Sequence, residues 1–266
     1  MGVWDVSPVL ITINNHEIRV YSLLFALMLI IAYYVFRWQM TLGGYRDNII
    51  DFFLLSFAVI IGARLGQVLF YEPSYYLSHP GEIFNLRHGG LASHGATVAL
   101  FFALWWIARR ESAKLLDVLD RFTISVTIAI VFVRLGNFFN SEIVGRVTEM
   151  PWGVKFPLAY IDKHLPLEQI PYRHAVQLYE AMIGLCMMIT LLMINHRYGE
   201  KRPPGLMVAL LFIGYFGGRF FIEFFKEYQT LDANDSFLTM GQYLSIPLVM
   251  IGLLLMLRST KAFKGR

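Results

Sequence analysis

The sequence predicts an all-α polytopic membrane protein, and three observations carry that prediction. Apolar residues make up 56 % of the 266 positions and charged residues only 16 %, where a soluble domain carries roughly 25 %. Mean hydropathy is +0.53. Apolar windows also recur at the length of about twenty residues that a hydrocarbon core requires. So few charges cannot cover a water-facing surface, which excludes a soluble globular enzyme and a disordered chain. The whole of 1–266 reads as a single integral membrane domain.

Seven spans follow in order, at about 20–36, 49–71, 92–108, 118–139, 175–194, 205–225 and 240–257. No cleavable signal peptide is expected before the first, because residues 1–18 hold Asp5 and Glu17 but no Lys or Arg. Val9–Ile13, Asn14-Asn15 and Glu17–Tyr21 alternate apolar and polar residues around a turn, as a short hairpin or an interfacial amphipathic segment would. Residues 140–174 carry Pro151, Trp152, Pro157, Pro166 and Pro171 and read as a small extracytoplasmic subdomain.

Orientation follows from the basic residues. With the N-terminus outside, the inner connections and tail hold Arg37, Arg46, Arg109, Arg110, Lys114, Arg121, Arg197, Lys201, Arg202, Arg258, Lys261, Lys264 and Arg266. The outer side holds Arg19, Arg87 and Lys226, plus Arg146, Lys155, Lys163 and Arg173 in one long loop that weighs little. The N-terminus is therefore expected outside and the C-terminus inside. A net charge of +4 is too small an excess to imply a nucleic-acid partner. The single cysteine, Cys186, completes neither a disulfide nor a thiolate metal site.

Three arginines fall inside the spans: Arg64, Arg134 and Arg219. Each costs roughly 2.5–3.5 kcal/mol at a helix centre. All three lie in the outer halves of outward-running spans, and Tyr21, His94 and Glu180 lie at the outer starts of inward-running ones. Glu223 follows Arg219 by one turn. The pattern thus places one polar layer near the outer leaflet. A guanidinium is always charged and its planar fork fits phosphate oxygens, so a phospholipid headgroup is the ligand this layer suits. The competing reading is that the arginines pair with Glu72, Glu142, Glu180 or Glu223 and only fasten the bundle.

Arg134, Asn137 and Asn140 recur every third residue and share a helical stripe, with Glu142, Gly145 and Arg146 beyond it. A short echo pairs Arg64-Leu-Gly-Gln and Glu72 with Arg134-Leu-Gly-Asn and Glu142. Gly62-xxx-Gly66 and Gly214-xxx-Gly218 read as close helix packing, or as room for a lipid beside an arginine. HExxH, paired CxxC, GxSxG and Walker signatures are missing from the sequence. A transporter would place its site near the midplane between inverted repeats, and a seven-helix receptor needs no buried arginines.

The run Arg134-Leu-Gly-Asn-Phe-Phe-Asn-Ser-Glu142-Ile-Val-Gly-Arg146 closely resembles the signature of the bacterial prolipoprotein diacylglyceryl transferases. His88-Gly-Gly-Leu-Ala-Ser-His94-Gly, Arg173-His-Ala-Val-Gln-Leu-Tyr-Glu180, Gly218-Arg219 through Glu223 and Met240-Gly-Gln-Tyr-Leu-Ser-Ile-Pro247 resemble further parts of that family. Val133, Ala175-Val176 and Lys226 depart from its common pattern, Lys226 standing where arginine is frequent. The resemblance implies a multi-pass enzyme of the bacterial cytoplasmic (inner) membrane, with its active site near the outer leaflet. It implies transfer of the diacylglyceryl group of phosphatidylglycerol to the lipobox cysteine of a prolipoprotein signal peptide, forming a thioether and releasing glycerol phosphate, with no metal or soluble cofactor required.

By resemblance and placement, the expected catalytic residues are His94, Arg134, Arg219 and Tyr21. The expected headgroup contacts are Arg134, Asn137, Glu142, Arg219, Glu223 and Arg64, with Gly145, Arg146, Asn140 and Glu180 structural beside them. A thiol of pKa about 8.5 gives its proton to an imidazole of about 6.5 at a cost near 2.7 kcal/mol. Either His94 accepts that proton, or His94 positions the lipid and the departing phosphate accepts it.

Overall fold

The structure, a computed structural model, describes residues 1–14, 16–85, 92–227 and 236–264, the last three as backbone alone. Arg87 through Leu91 of the histidine motif, Asn15 and Arg266 lie outside the described residues. In chain order the main elements are β1 (Gly2–Val3), β2 (Val9–Ile13), β3 (His16–Arg19), α1 (Val20–Leu42), α2 (Ile50–Phe70), α3 (Pro73–Ser78), α4 (Ser93–Arg110) and α5 (Leu115–Phe139). After these come β4 (Val154–Lys155), α6 (Val176–Tyr198), α7 (Leu206–Leu211), α8 (Gly217–Ile222) and α9 (Met240–Lys264).

Among the described residues, six helices are long and apolar enough to cross a membrane: Val20–Leu42, Ile50–Phe70, Leu115–Phe139, Val176–Lys201, Leu206–Phe225 and Met240–Lys261. A stretch of 21 residues rises about 32 Å, which spans a hydrocarbon core of about 30 Å. The third expected span, at about 92–108, is also a helix, α4. Its polar ends, Ser93-His94 and Arg109-Arg110, leave a shorter apolar middle than the six possess.

The fifth long helix is not uniform. One π-helical turn at Phe212–Phe216 separates α7 from α8, and the sequence reading did not foresee it. Such a turn shifts the side-chain register just before Arg219.

The chain divides into two compact units, residues 33–122 and residues 1–32 with 123–266. In the first, α2 packs against α4 through glycines. A Cβ on Gly66 would stand 2.9 Å from Gly95 Cα, and one on Gly62 would stand 2.7 Å from the Gly95 carbonyl oxygen. The close-packing reading of Gly62-xxx-Gly66 is therefore realised. Phe36, Met40, Leu55, Leu104, Ile107 and Val118 form the apolar core of this unit. Arg110 closes end-on over Asp51, its two terminal nitrogens donating to the two carboxylate oxygens at 2.7 and 2.8 Å.

In the second unit, β2 and β3 form the antiparallel hairpin that the alternation anticipated, with Asn14 in a left-handed conformation at the turn. Residues 140–174 contain no long helix. They hold β4 and two 3₁₀ turns at Pro157–Lys163 and Leu167–Gln169, and their Phe156 joins Phe138 and Ala175, which flank the segment, in a small core. β1 pairs in parallel with β4, so the first residues of the chain complete this subdomain. Gly214 and Gly218 face Met187 and Ile183 of α6, where a Cβ would meet Ile183 at 2.6 Å.

Gly66→Leu is expected to force α2 and α4 apart and to destabilise the fold by about 1–3 kcal/mol. A thermal melt in detergent would register this as a lower midpoint; an unchanged midpoint would contradict the packing.

Candidate active site

The second unit builds its polar centre from the C-terminal end of α5. The spacing of Arg134, Asn137 and Asn140 delivers the expected stripe. Arg134 Nη1 donates to Asn137 Oδ1 at 3.3 Å, Asn137 Nδ2 donates to Glu142 Oε2 at 3.1 Å, and Asn140 Nδ2 to Glu142 Oε1 at 3.0 Å. Reaching back this way requires a sharp turn. Ser141 and Ile143 both adopt φ 55°, and a left-handed conformation at a β-branched residue is a strained one. Gln177 Nε2 pins the turn by donating to the Glu142 carbonyl oxygen at 2.5 Å.

Tyr21, near the start of α1, lies flat against the same helix. A Cβ on Gly136 would stand 2.6 Å from its ring, so only glycine admits the tyrosine there. The ring lies within electrostatic reach of both Glu142 and Arg134.

Beyond the stripe, five charged side chains alternate in sign. Arg134 Nε lies 2.6 Å from Glu180 Oε2, and Glu180 Oε1 accepts from Lys226 Nζ at 3.1 Å. The same ammonium donates to Glu223 Oε1 at 3.1 Å, and Arg219 Nε lies 3.7 Å from that oxygen. Glu180 and Lys226 are buried to 1 % and 4 % side-chain exposure, whereas Arg219 keeps 26 %. The Tyr215 hydroxyl donates to Glu180 Oε2 at 3.4 Å. Three cations thus share two carboxylates, and one positive charge stays unmatched within the chain of five. Arg219 makes no hydrogen bond among the described residues.

The frame around these charges is local and specific. Thr239 and Gln242 form a capping box at the start of α9. The Gln242 backbone N–H donates to Thr239 Oγ1 at 3.2 Å, and the Thr239 N–H donates to Gln242 Oε1 at 3.0 Å. The Thr239 hydroxyl donates in turn to Glu223 Oε2 at 3.0 Å, and a Cβ on Gly241 would overlap that carboxylate. Gly145 and Arg146 fasten the segment after α8. Gly145 N–H donates to the His174 carbonyl oxygen at 2.9 Å, Arg146 N–H to that of Phe225 at 2.8 Å, and Arg146 Nε to that of Lys226 at 3.0 Å. A Cβ on Gly145 would stand 2.6 Å from the His174 carbonyl oxygen.

Two expected site residues belong to the other unit. Arg64 is buried, and its Nε donates to the Ile83 carbonyl oxygen at 2.8 Å while Nη2 donates to those of Glu82 and Asn85 at 2.5 and 2.9 Å. Its guanidinium also lies over the Tyr76 ring. His94 sits exposed in the first turn of α4.

A sequence model of the prolipoprotein diacylglyceryl transferases matches residues 8–258. The chain belongs to the prolipoprotein diacylglyceryl transferase family. It is 40 % identical to the phosphatidylglycerol–prolipoprotein diacylglyceryl transferase of Porphyromonas gingivalis over 270 residues, covering 97 % of this chain and 94 % of that one. Transferases of the same name from Bacteroides fragilis and Tolumonas auensis are 36 % and 35 % identical. Those matches cover 95 % of this chain and 93 % of the relative, and 98 % of each, respectively.

In this transferase, Arg134, Asn137, Asn140, Glu142, Glu180, Arg219 and Glu223 lie in one unit, linked directly or through Lys226, and Tyr21 packs beside them on Gly136. The sequence marks Lys226 only as a departure from the family pattern that bears on headgroup grip, and it does not single out Tyr215, Gln177 or Thr239. Tyr215 precedes Arg219 by four residues, and the Thr239-x-x-Gln242 spacing is a capping-box pattern, so both left a readable trace. The partnership of Lys226 with Glu180, 46 residues away, left none.

Glu180→Ala is expected to leave Arg134 and Lys226 buried without their shared carboxylate, a loss of about 3–5 kcal/mol. A sharply lowered melting midpoint in detergent would show it, and a wild-type midpoint would contradict it. The His174 ring, which packs against Phe225 and exchanges a 3.1 Å hydrogen bond with the Tyr179 hydroxyl, has its pKa pushed down by burial. Unfolding therefore takes up a proton. The stability this ring contributes is full above the ordinary histidine range and is lost as pH falls through it. Protection factors for amide exchange at Gly145 and Arg146, taken against the intrinsic rate at each pH, should fall on going from pH 7 to pH 5, and His174→Asn should flatten that trend.

Proposed function

We propose that this chain transfers the diacylglyceryl group of phosphatidylglycerol to the lipobox cysteine of prolipoprotein signal peptides at the outer leaflet of the bacterial cytoplasmic membrane. The cysteine sulfur attacks the glyceryl carbon, the carbon–oxygen bond to phosphate breaks, and glycerol phosphate leaves. The observation that carries the reading is the buried chain of five charges with one unmatched cation. It sits in a helical unit that belongs to a family named for this chemistry.

The barrier in such a displacement lies in the charge that grows on the departing phosphate. Preorganised cations facing that charge in a dry site supply the main stabilisation. Arg134 and Arg219 take this role, and Tyr21, Asn137, Glu142 and Glu223 bound the headgroup. Asn140, Gly145, Arg146 and Glu180 hold the frame. Arg64 adds a headgroup contact only if its guanidinium exchanges a carbonyl partner for phosphate. His94 is the leading acceptor of the thiol proton, and the departing phosphate is its rival. With α4 as a seventh span the termini lie on opposite faces, and the excess of basic residues in the short connections supports an N-terminus outside, a C-terminus inside and residues 140–174 on the outer face.

Purified protein, phosphatidylglycerol and a lipobox peptide test the reading through the mass added to the peptide cysteine. Arg134→Ala should abolish that addition while leaving insertion intact. Arg134→Lys should remain poor, because an ammonium lacks the fork. Normal turnover in either variant would remove the phosphate clamp. His94→Gln should lose most activity and flatten the pH profile; a retained rate would assign the proton to the phosphate.

A further inference from the structure

Arginines in this protein meet carboxylates in two different ways. Arg110 lies end-on to Asp51, with both terminal nitrogens bound. Arg134 and Arg219 instead approach Glu180 and Glu223 through Nε, along the flank of the guanidinium. Among the described residues no terminal nitrogen of Arg134 or Arg219 donates a hydrogen bond to a carboxylate. Arg134 Nη1 donates to the neutral Asn137 amide at 3.3 Å, and the Tyr215 hydroxyl is a second neutral hydrogen-bond partner of this guanidinium.

An end-on pair needs both carboxylate oxygens, and here other groups occupy them. Glu180 Oε1 is held by Lys226 Nζ at 3.1 Å, leaving Oε2 alone for Arg134. Glu223 is engaged on both sides, Oε1 by Lys226 at 3.1 Å and Oε2 by the Thr239 hydroxyl at 3.0 Å. Arg219 is thereby kept at 3.7 Å. The capping box fixes where the Thr239 hydroxyl stands, and Arg146 holds the Lys226 carbonyl. Both competitors are anchored by contacts of their own.

We infer that Thr239 and Lys226 are positioning residues that keep the terminal N–H forks of Arg219 and Arg134 open for a phosphate, by occupying the carboxylate oxygens that would otherwise close on them. This rests on the phosphate role proposed above for the two arginines. A fork closed on a carboxylate must be opened before it can receive phosphate oxygens, so losing a competitor weakens anion binding rather than only loosening the fold.

Titration calorimetry with inorganic phosphate on the purified full chain decides the point without relying on turnover, and the transfer assay adds the KM for phosphatidylglycerol. Thr239→Val should weaken phosphate binding and raise that KM, each about tenfold, the scale of one hydrogen bond to a charged group. Thr239→Ser should restore both. Gln242→Leu, which loses the Oε1 contact to the Thr239 N–H but keeps the backbone N–H that holds the Thr239 hydroxyl in place, should lower the melting midpoint and leave phosphate affinity within about twofold. Lys226→Met should weaken phosphate binding further, and Lys226→Arg should recover it.

The proposal is overturned if wild-type protein binds no phosphate, if Thr239→Val binds it as wild type does, or if Gln242→Leu weakens it equally. Wild-type protein that binds phosphate yet adds no mass to the peptide would remove the proposed reaction and leave the positioning claim standing.

Discussion

Two demands on the same guanidinium groups conflict. An arginine taken into a bilayer needs a counter-charge, because its isolated charge costs several kcal/mol there. An arginine meant to receive a phosphate must keep part of its donor set uncommitted. With the phosphate role proposed for the two arginines, the alternation of Arg134, Glu180, Lys226, Glu223 and Arg219 meets both demands. Each arginine has a carboxylate neighbour, yet the five together carry one more positive than negative charge. Removing any internal member leaves a like-charged or unpaired neighbour in a site too dry to screen it.

Much of the surrounding architecture serves that alternation. The strained turn at Ser141 and Ile143 brings the Glu142 carboxylate back onto the asparagines of α5. Gly145 allows the backbone of residues 145–147 to lie against the segments at 173–174 and 225–226, where a side chain at position 145 would strike a carbonyl oxygen. Gly241 leaves room for the Glu223 carboxylate against the first turn of α9. The π-helical turn before α8 resets the register ahead of Arg219. These are contacts made by backbone and small residues, so they add little side-chain entropy to the cost of ordering the site.

The membrane architecture was largely legible, because hydrophobic length is a one-dimensional property. The long helices fall where the apolar windows lie, and the hairpin of residues 9–19 follows its alternation. The arginine stripe on α5 was legible for the same reason, since a period of three needs no tertiary knowledge. The short apolar middle of α4 and the π-turn blurred the remaining spans. Pairings between distant segments stayed hidden: β1 with β4, and Lys226 with Glu180, are set by packing that no local pattern encodes. The echo between Arg64 and Arg134 shows the limit of motif logic. Similar tetrapeptides deliver one guanidinium to backbone carbonyls and the other to a carboxylate.

The central claim is that a phosphate belongs between Arg134 and Arg219. An experimental structure of the full chain with phosphatidylglycerol, or with glycerol phosphate, tests it most directly. The account expects phosphate oxygens within hydrogen-bonding distance of the terminal nitrogens of both arginines, with Glu180 and Glu223 still flanking them through Nε. A phosphate bound elsewhere, with both guanidinium groups folded end-on against those carboxylates, would contradict it.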